Sequence, residues 1–238
     1  MTFDHAAPTV RLSVVLPAFN EAENIPRAIT AAVDALERLN ISFEIIVVDD
    51  GSHDDTGTLA RAAQREDPRV RAVHHPRNRG YGAALKSGIL SAKGELIFFT
   101  DADLQFDLNE LRLLLARARE ADIIAGYRAR RSDPKHRLIN AWAWGRLVKL
   151  LFGLDVRDVD CAFKVFHREV FEQVPISSVG AFVNTEILLR AQAKGFTITQ
   201  VPVSHYPRTA GTSTGANPKV IARAFWELGR LYRELKRL

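Results

Sequence analysis

The sequence predicts an α/β fold with a mostly parallel central sheet flanked by helices, and three observations carry that prediction. Short β-branched apolar runs alternate with helical repeats through the first half of the chain. Most of these runs hold consecutive apolar residues rather than one at every second position, as in strands covered on both faces. Acidic and amide side chains stand directly after several of them, where the chain turns into loops. Composition agrees, since 238 residues with 47% hydrophobic and 26% charged side chains describe an ordinary globular chain. A chain of this length buries about 70% of its unfolded surface, so it needs no disulfide or metal staple. Disorder, collagen and small secreted scaffolds are excluded.

In chain order, strands are predicted at 13–16, 44–48, 70–73, 95–99 and 122–125, with helices at 21–39, 56–65, 81–92 and 109–120 between them. Ligands in such sheets bind at the carboxyl ends of the strands. Asn20 and Glu21 follow the first strand, Asp49 and Asp50 close the second, and Asp101 and Asp103 close the fourth, so five carboxylates and an amide are expected on one rim. Burial of carboxylates is costly unless they are paired or bind a cation, so core packing does not account for them. Beyond Tyr127 the pattern changes to an Arg-rich loop at 128–137, then a Trp-containing amphipathic helix at 138–152. A turn at 158–164 enters a strand, followed by a helix at 185–194, a strand at 196–203, a Gly/Ser/Thr/Pro loop at 206–218 and a terminal helix from 219.

Charge is divided unevenly. Residues 1–120 carry 14 basic and 18 acidic side chains, whereas residues 121–238 carry 19 and 10. The basic half implies an anionic partner such as a phosphate, a lipid surface or a nucleic acid, or else a solvated basic face. Cys161 is the single cysteine and suits a reducing compartment. The N-terminal stretch has no basic segment followed by a long apolar one, so no secretory signal is expected. The nearest approach to a membrane span, 138–154, is broken by Arg146 and Lys149.

Asp101-Ala102-Asp103 is the sharpest chemical signal. Two carboxylates at i, i+2 past a strand end can face one Mg²⁺ or Mn²⁺, with Gln105 as a neutral oxygen and the remaining positions left to water and substrate phosphates. A helix-capping turn is the alternative. An EF-hand loop is excluded, because its sixth position holds Phe106 and its twelfth Arg112. Gly80-Tyr81-Gly82 is not a dinucleotide fingerprint, since Leu85 takes the third glycine position. Gly80 and Gly82 can let the backbone approach a phosphate with Lys86 one turn into the helix, or they open a helix beside a surface lysine.

Val14 to Glu21, Val47 to Ser52, Asn78 to Ala84 and Asp101 to Gln105 resemble, in order, the signatures of inverting family 2 glycosyltransferases of GT-A fold. Gly126-Tyr127-Arg128, Asp158 to Lys164, Thr185-Glu186 and Pro207-Arg208 with Gly211 and Ser213 are similar to the dolichyl/polyprenyl-phosphate mannosyltransferase branch. The resemblance covers nearly the whole chain and implies one glycosyltransferase domain over 1–238, with nucleotide sugar and metal in 1–120 and acceptor in 121–238. It implies that Pro17, Asn20 and Glu21 hold the nucleoside and that Asp50 accepts hydrogen bonds from base or ribose. Asp49, Ser52, Gly82 and Lys86 complete the donor rim, and Asp101, Asp103 and Gln105 bind Mg²⁺ or Mn²⁺ and the diphosphate. Arg128, Arg131 and Arg208 surround the acceptor phosphate.

The implied reaction moves a hexose, mannose favoured, from a nucleotide diphosphate sugar to a polyprenyl phosphate. GDP-mannose is the favoured donor and UDP-glucose the alternative. A phosphate monoester is largely a dianion at neutral pH and needs no general base. A carbohydrate hydroxyl acceptor, the rival, requires one, for which Glu186 and Asp160 are the candidates; Glu186 also reads as an ordinary carboxylate at a helix start. A non-catalytic membrane or nucleic-acid binder of the same fold is a further alternative, although no aromatics interleave with the basic residues as nucleic acid requires. The helix at 138–152 and the terminal helix are basic, aromatic and amphipathic, which suits either an anionic membrane surface or core packing. The expected location is cytoplasmic, at the cytoplasmic face of a membrane.

Overall fold

The computed structural model describes residues 10–130, 135–208 and 218–236. Its elements are β1 (Leu12–Ala18), α1 (Ile25–Arg38), β2 (Phe43–Asp49), α2 (Thr56–Glu66), β3 (Val70–His74), α3 (Tyr81–Ser91) and β4 (Leu96–Thr100). A 3-10 turn (Leu108–Glu110) runs into α4 (Leu111–Leu115), followed by β5 (Ile123–Arg130), α5 (Lys135–Phe152), β6 (Phe163–His167), α6 (Arg168–Gln173), α7 (Val183–Ala193), β7 (Ile198–Ser204) and α8 (Pro218–Leu235). One seven-stranded sheet in the order β3-β2-β1-β4-β6-β5-β7 takes strands from both halves of the sequence. β1, β2 and β4 are buried at every position, which is why their apolar runs lack alternation.

β6 runs antiparallel to both β4 and β5, and the other neighbouring pairs are parallel. Six strands therefore end on one edge and β6 begins there. That edge gathers the loops after Ala18, Asp49, His74, Thr100 and Ser204, the end of β5 and the turn before Phe163. Phe163 fixes the β6 insertion by packing edge-on against Phe98 at 4.7 Å, and Phe166 stacks on Phe99 at 5.5 Å.

Four boundaries differ from the sequence expectation. α1 begins at Ile25 rather than Glu21, because Pro26 fits only the first helical turn. The helix expected at 109–120 tightens after Leu115 into i→i+3 turns such as Arg117 N–H to the Leu114 carbonyl, 3.0 Å. The expected Arg-rich loop is ordered at its ends, with Arg128 to Arg130 extending β5 and Lys135 to Arg137 opening α5; residues 131–134 lie outside the described chain. α6 was not anticipated, being too short to show a helical period.

Candidate active site

Two loops are laced together at the ends of β1 and β2. The Asn20 N–H donates to Ser52 Oγ at 2.9 Å and the His53 N–H donates to Asn20 Oδ1 at 2.9 Å. The Glu21 N–H donates to Thr56 Oγ1 at 2.8 Å, and the Ala22 N–H to Asp54 Oδ2 at 3.1 Å. Asn20 takes a left-handed backbone (φ 55°), which asparagine tolerates better than most residues and which turns Glu21 back over the sheet. Pro17, buried in β1, lies beyond the stretch paired with β4, where a missing N–H breaks no ladder on that side.

Glu21, Asp101, Asp103 and Arg208 form the charged centre. Arg208 pairs with the Glu21 carboxylate and stands 3.7 Å from Asp103 Oδ2. Asp101 Oδ1 is buried without a hydrogen bond from the described residues. Burial and the Asp103 carboxylate push the Asp101 carboxyl up to about 7, against the pull of Arg128 and Arg208. Burial raises Asp103 as well, opposed by the Gln105 N–H and Arg208. Between Asp103 and Gln105, Leu104 is left-handed at φ 58°, so the carboxylate turn holds a backbone state seldom used by leucine. The Gln105 amide donates to the Tyr206 carbonyl at 3.0 Å and the Tyr206 N–H donates to the Gln105 carbonyl at 2.8 Å, which ties this turn to the end of β7.

Several expected donor and acceptor groups have other employment. Asp49 accepts from the Ser52 N–H (3.0 Å) and lies 2.8 Å from His74 Nδ1. Asp50 accepts from the Arg79 N–H (3.0 Å) and Gly80 N–H (2.7 Å) and meets His75 Nδ1 at 2.6 Å. Both carboxylates shape their own loops instead of joining Glu21, Asp101 and Asp103 in the charged centre. Gly80 and Gly82 are glycine because the chain at 178–180 crosses them: a Cβ would meet the Val179 carbonyl at Gly80 and the Ser178 and Gly180 carbonyls at Gly82. The close approach here is to the protein backbone. Lys86 donates to the Ile176 carbonyl at 2.8 Å, away from the role expected of it.

Glu186 is 1% exposed and sits inside the first turn of α7, where it accepts from the Ser178 N–H (2.7 Å) and Arg190 Nε (2.9 Å). This carboxylate, the base candidate for a hydroxyl acceptor, is engaged by the backbone at 177–178 and by Arg190. Arg128 presents its fork to Asp158, with Nε at 2.6 Å and Nη2 at 2.7 Å, so that face does not stand open for an acceptor phosphate. Arg208 stands with the acid pair, 3.7 Å from Asp103. Asp160 is exposed. Arg131 lies outside the described residues.

Sequence reasoning gave no role to Asp54, Tyr81, Asn184 or Asp158, although Tyr81 and Asp158 stand within the stretches Asn78 to Ala84 and Asp158 to Lys164; their contacts depend on which loops meet.

Residues 13–175 match Glycosyl transferase family 2, and the chain belongs to that family. It is 37% identical over 212 residues to glycosyltransferase AglD of Haloferax volcanii, spanning 85% of this chain and 34% of the relative. It is 31% identical over 210 residues to an undecaprenyl-phosphate 4-deoxy-4-formamido-L-arabinose transferase of Salmonella typhimurium, spanning 87% of this chain and 63% of the relative. The chain thus spans less than two thirds of the length of these curated relatives. Its fold is that of the GT-A glycosyltransferases. Mannosyl-3-phosphoglycerate synthase from Rubrobacter xylanophilus superposes with a TM-score of 0.72 at 22% identity, covering 96% of this chain and 75% of that one. Glucosyl-3-phosphoglycerate synthase from Mycobacterium tuberculosis, in complex with Mn²⁺ and UDP-glucose, gives 0.69 at 20% identity, covering 95% and 79%.

The fold family implies a divalent cation, and the residues fit one. Asp101 Oδ1 is an orphaned buried oxygen beside a second raised carboxylate, the state expected of an acid pair that lacks its counter-ion. The donors are hard oxygens, as Mg²⁺ and Mn²⁺ prefer. Among the described residues no three His, Cys, Asp or Glu side chains are placed to hold a metal.

Proposed function

We propose that this domain transfers a hexose from a nucleotide diphosphate sugar to a polyprenyl phosphate, with inversion at the anomeric carbon. The observation that carries this reading is the Asp101–Asp103 pair at the strand edge, its buried oxygen unpartnered and Arg208 standing across it. Asp101 and Asp103, with Gln105 beside them, would hold Mg²⁺ or Mn²⁺, which when bound neutralises charge on the leaving diphosphate. Glu21 and Arg208 close the rim above the pair, and the braced loop from Asn20 to Ser52 shapes the nucleoside side. An oxygen of the acceptor phosphate attacks the anomeric carbon as the bond from that carbon to the diphosphate breaks, and the nucleoside diphosphate leaves with the electron pair. No proton has to be removed, which agrees with Glu186 being occupied by Ser178 and Arg190. Arg131, between β5 and α5 and flanked in sequence by Arg128, Arg130, Lys135 and Arg137, receives the acceptor phosphate, and Arg128 holds Asp158 and lowers Asp101. GDP-mannose is the donor favoured by the motif resemblance, and the UDP-glucose held by the solved neighbour is the alternative.

The lipid acceptor has a surface to approach. Among the described residues no helix is long and apolar enough to cross a membrane. α5 nevertheless exposes Ile139, Trp142 and Leu150, and α8 exposes Ile221, Phe225 and Trp226. The helices share a seam through Trp144 against Phe225 (5.4 Å) and Phe152 against Tyr232 (5.5 Å). Arg146 lies over Trp142 and Arg230 over Trp226, an arrangement suited to anionic lipid headgroups. Leu228 and Leu231 of the same terminal helix are core residues, so α8 packs and exposes at once. Incubation with GDP-mannose or UDP-glucose and a short-chain polyprenyl phosphate should give a lipid-linked hexose by mass. Transfer only to a carbohydrate hydroxyl, with the phosphate ignored, overturns the reading.

A further inference from the structure

Three buried polar atoms without a hydrogen bond belong to side chains from three different elements. They are Tyr81 Oη at the start of α3, Asp101 Oδ1 past the end of β4 and Asn184 Oδ1 in the first turn of α7. The Tyr81 hydroxyl interacts with both the Asp101 carboxylate and the Asn184 side chain. Asn184 is 6% exposed and cannot turn to solvent. The start of α3 is fixed independently: the Gly82 N–H donates to the Val179 carbonyl at 2.9 Å, and Gly80 and Gly82 leave no room between α3 and the chain at 178–180. α7 is held by Trp144 Nε1 to Thr185 Oγ1 at 3.3 Å. The Tyr81 hydroxyl thus stands between a carboxylate of the acid pair and the Asn184 amide, which favours the phenol oxygen as a donor does. Leaving such groups unmatched costs stability, so their persistence at this place calls for a use.

We propose that Tyr81, backed by Asn184, is a positioning residue for Asp101, its hydroxyl orienting the carboxylate toward a divalent cation. The inference rests on the cation reading of the Asp101–Asp103 pair. A hydroxyl aimed at one carboxylate oxygen fixes the direction of the other, and partners of this kind typically govern metal affinity by about 10–100-fold. The test is Mn²⁺ titration followed by electron paramagnetic resonance, with thermal unfolding in chelator, for the parent protein, Tyr81→Phe and Asp103→Asn. Tyr81→Phe should weaken Mn²⁺ binding by about tenfold or more while its unfolding temperature in chelator is unchanged or higher, because an unmatched buried hydroxyl has been removed. Parent affinity in Tyr81→Phe beside a clear loss in Asp103→Asn overturns this inference and leaves the cation reading standing. Parent affinity in both variants overturns the cation reading, and this inference with it. A Tyr81→Phe protein that loses several degrees of stability along with affinity marks the hydroxyl as structural and likewise overturns the proposal.

Discussion

At the scale of single residues, the acid pair makes two predictions. In the folded, cation-free protein Asp101 keeps its proton until about pH 7, whereas in the unfolded chain an aspartate ionises near ~4. The folded state therefore binds more protons between these values, and stability in chelator falls as pH rises from about 4 to about 7. Thermal unfolding across that range checks the sign, and Mn²⁺ affinity should climb over the same window because binding releases the proton. A second prediction concerns Arg208, which opposes the rise of both carboxylates. Arg208→Ala should move the pH midpoint of Mn²⁺ binding upward and reduce turnover sharply, read by titration at several pH values. Asp101 and Asp103 were legible in the sequence because they stand at i, i+2 just past a buried strand, with Gln105 beside them. Their partner Tyr81 was not, since nothing in Gly80-Tyr81-Gly82 shows that α7 will arrive beside it.

At the scale of elements, α7 and α8 clamp the chain at 177–180 onto the start of α3. Glu186 accepts from the backbone of Ser177 and Ser178, and Arg190 passes the charge on to Glu234 of α8 at 2.7 Å. Glu186→Ala breaks a buried ion pair and should cost about 3–5 kcal/mol in urea unfolding, while the folded enzyme keeps turnover. A collapse of turnover with intact stability would restore Glu186 as a base. The strands were readable because continuous β-branched runs have one common outcome, and the seven-strand order was not, because the β6 insertion depends on Phe163 and Phe166 meeting Phe98 and Phe99. The contacts made by Gly82, Lys86 and Asp50 were not legible for the same reason. Residue type and strand-end position were correct, but the occupant of the adjoining space is a loop more than 90 residues away along the sequence for Gly82.

At the scale of the whole molecule, the acidic first half and the basic second half of the chain both supply strands to one sheet, with an exposed aromatic and basic face along α5 and α8. Binding to anionic vesicles should fall with added salt, and Trp142→Ala with Trp226→Ala should reduce it in a cosedimentation assay without altering nucleotide affinity. The central claim is that a phosphate oxygen is the nucleophile, and phosphorus-31 NMR of the acceptor during turnover tests it most directly. The monoester resonance of polyprenyl phosphate should convert to that of a diester, and the sugar of the product should carry inverted anomeric configuration. A monoester signal that persists while sugar accumulates on a hydroxyl contradicts the account.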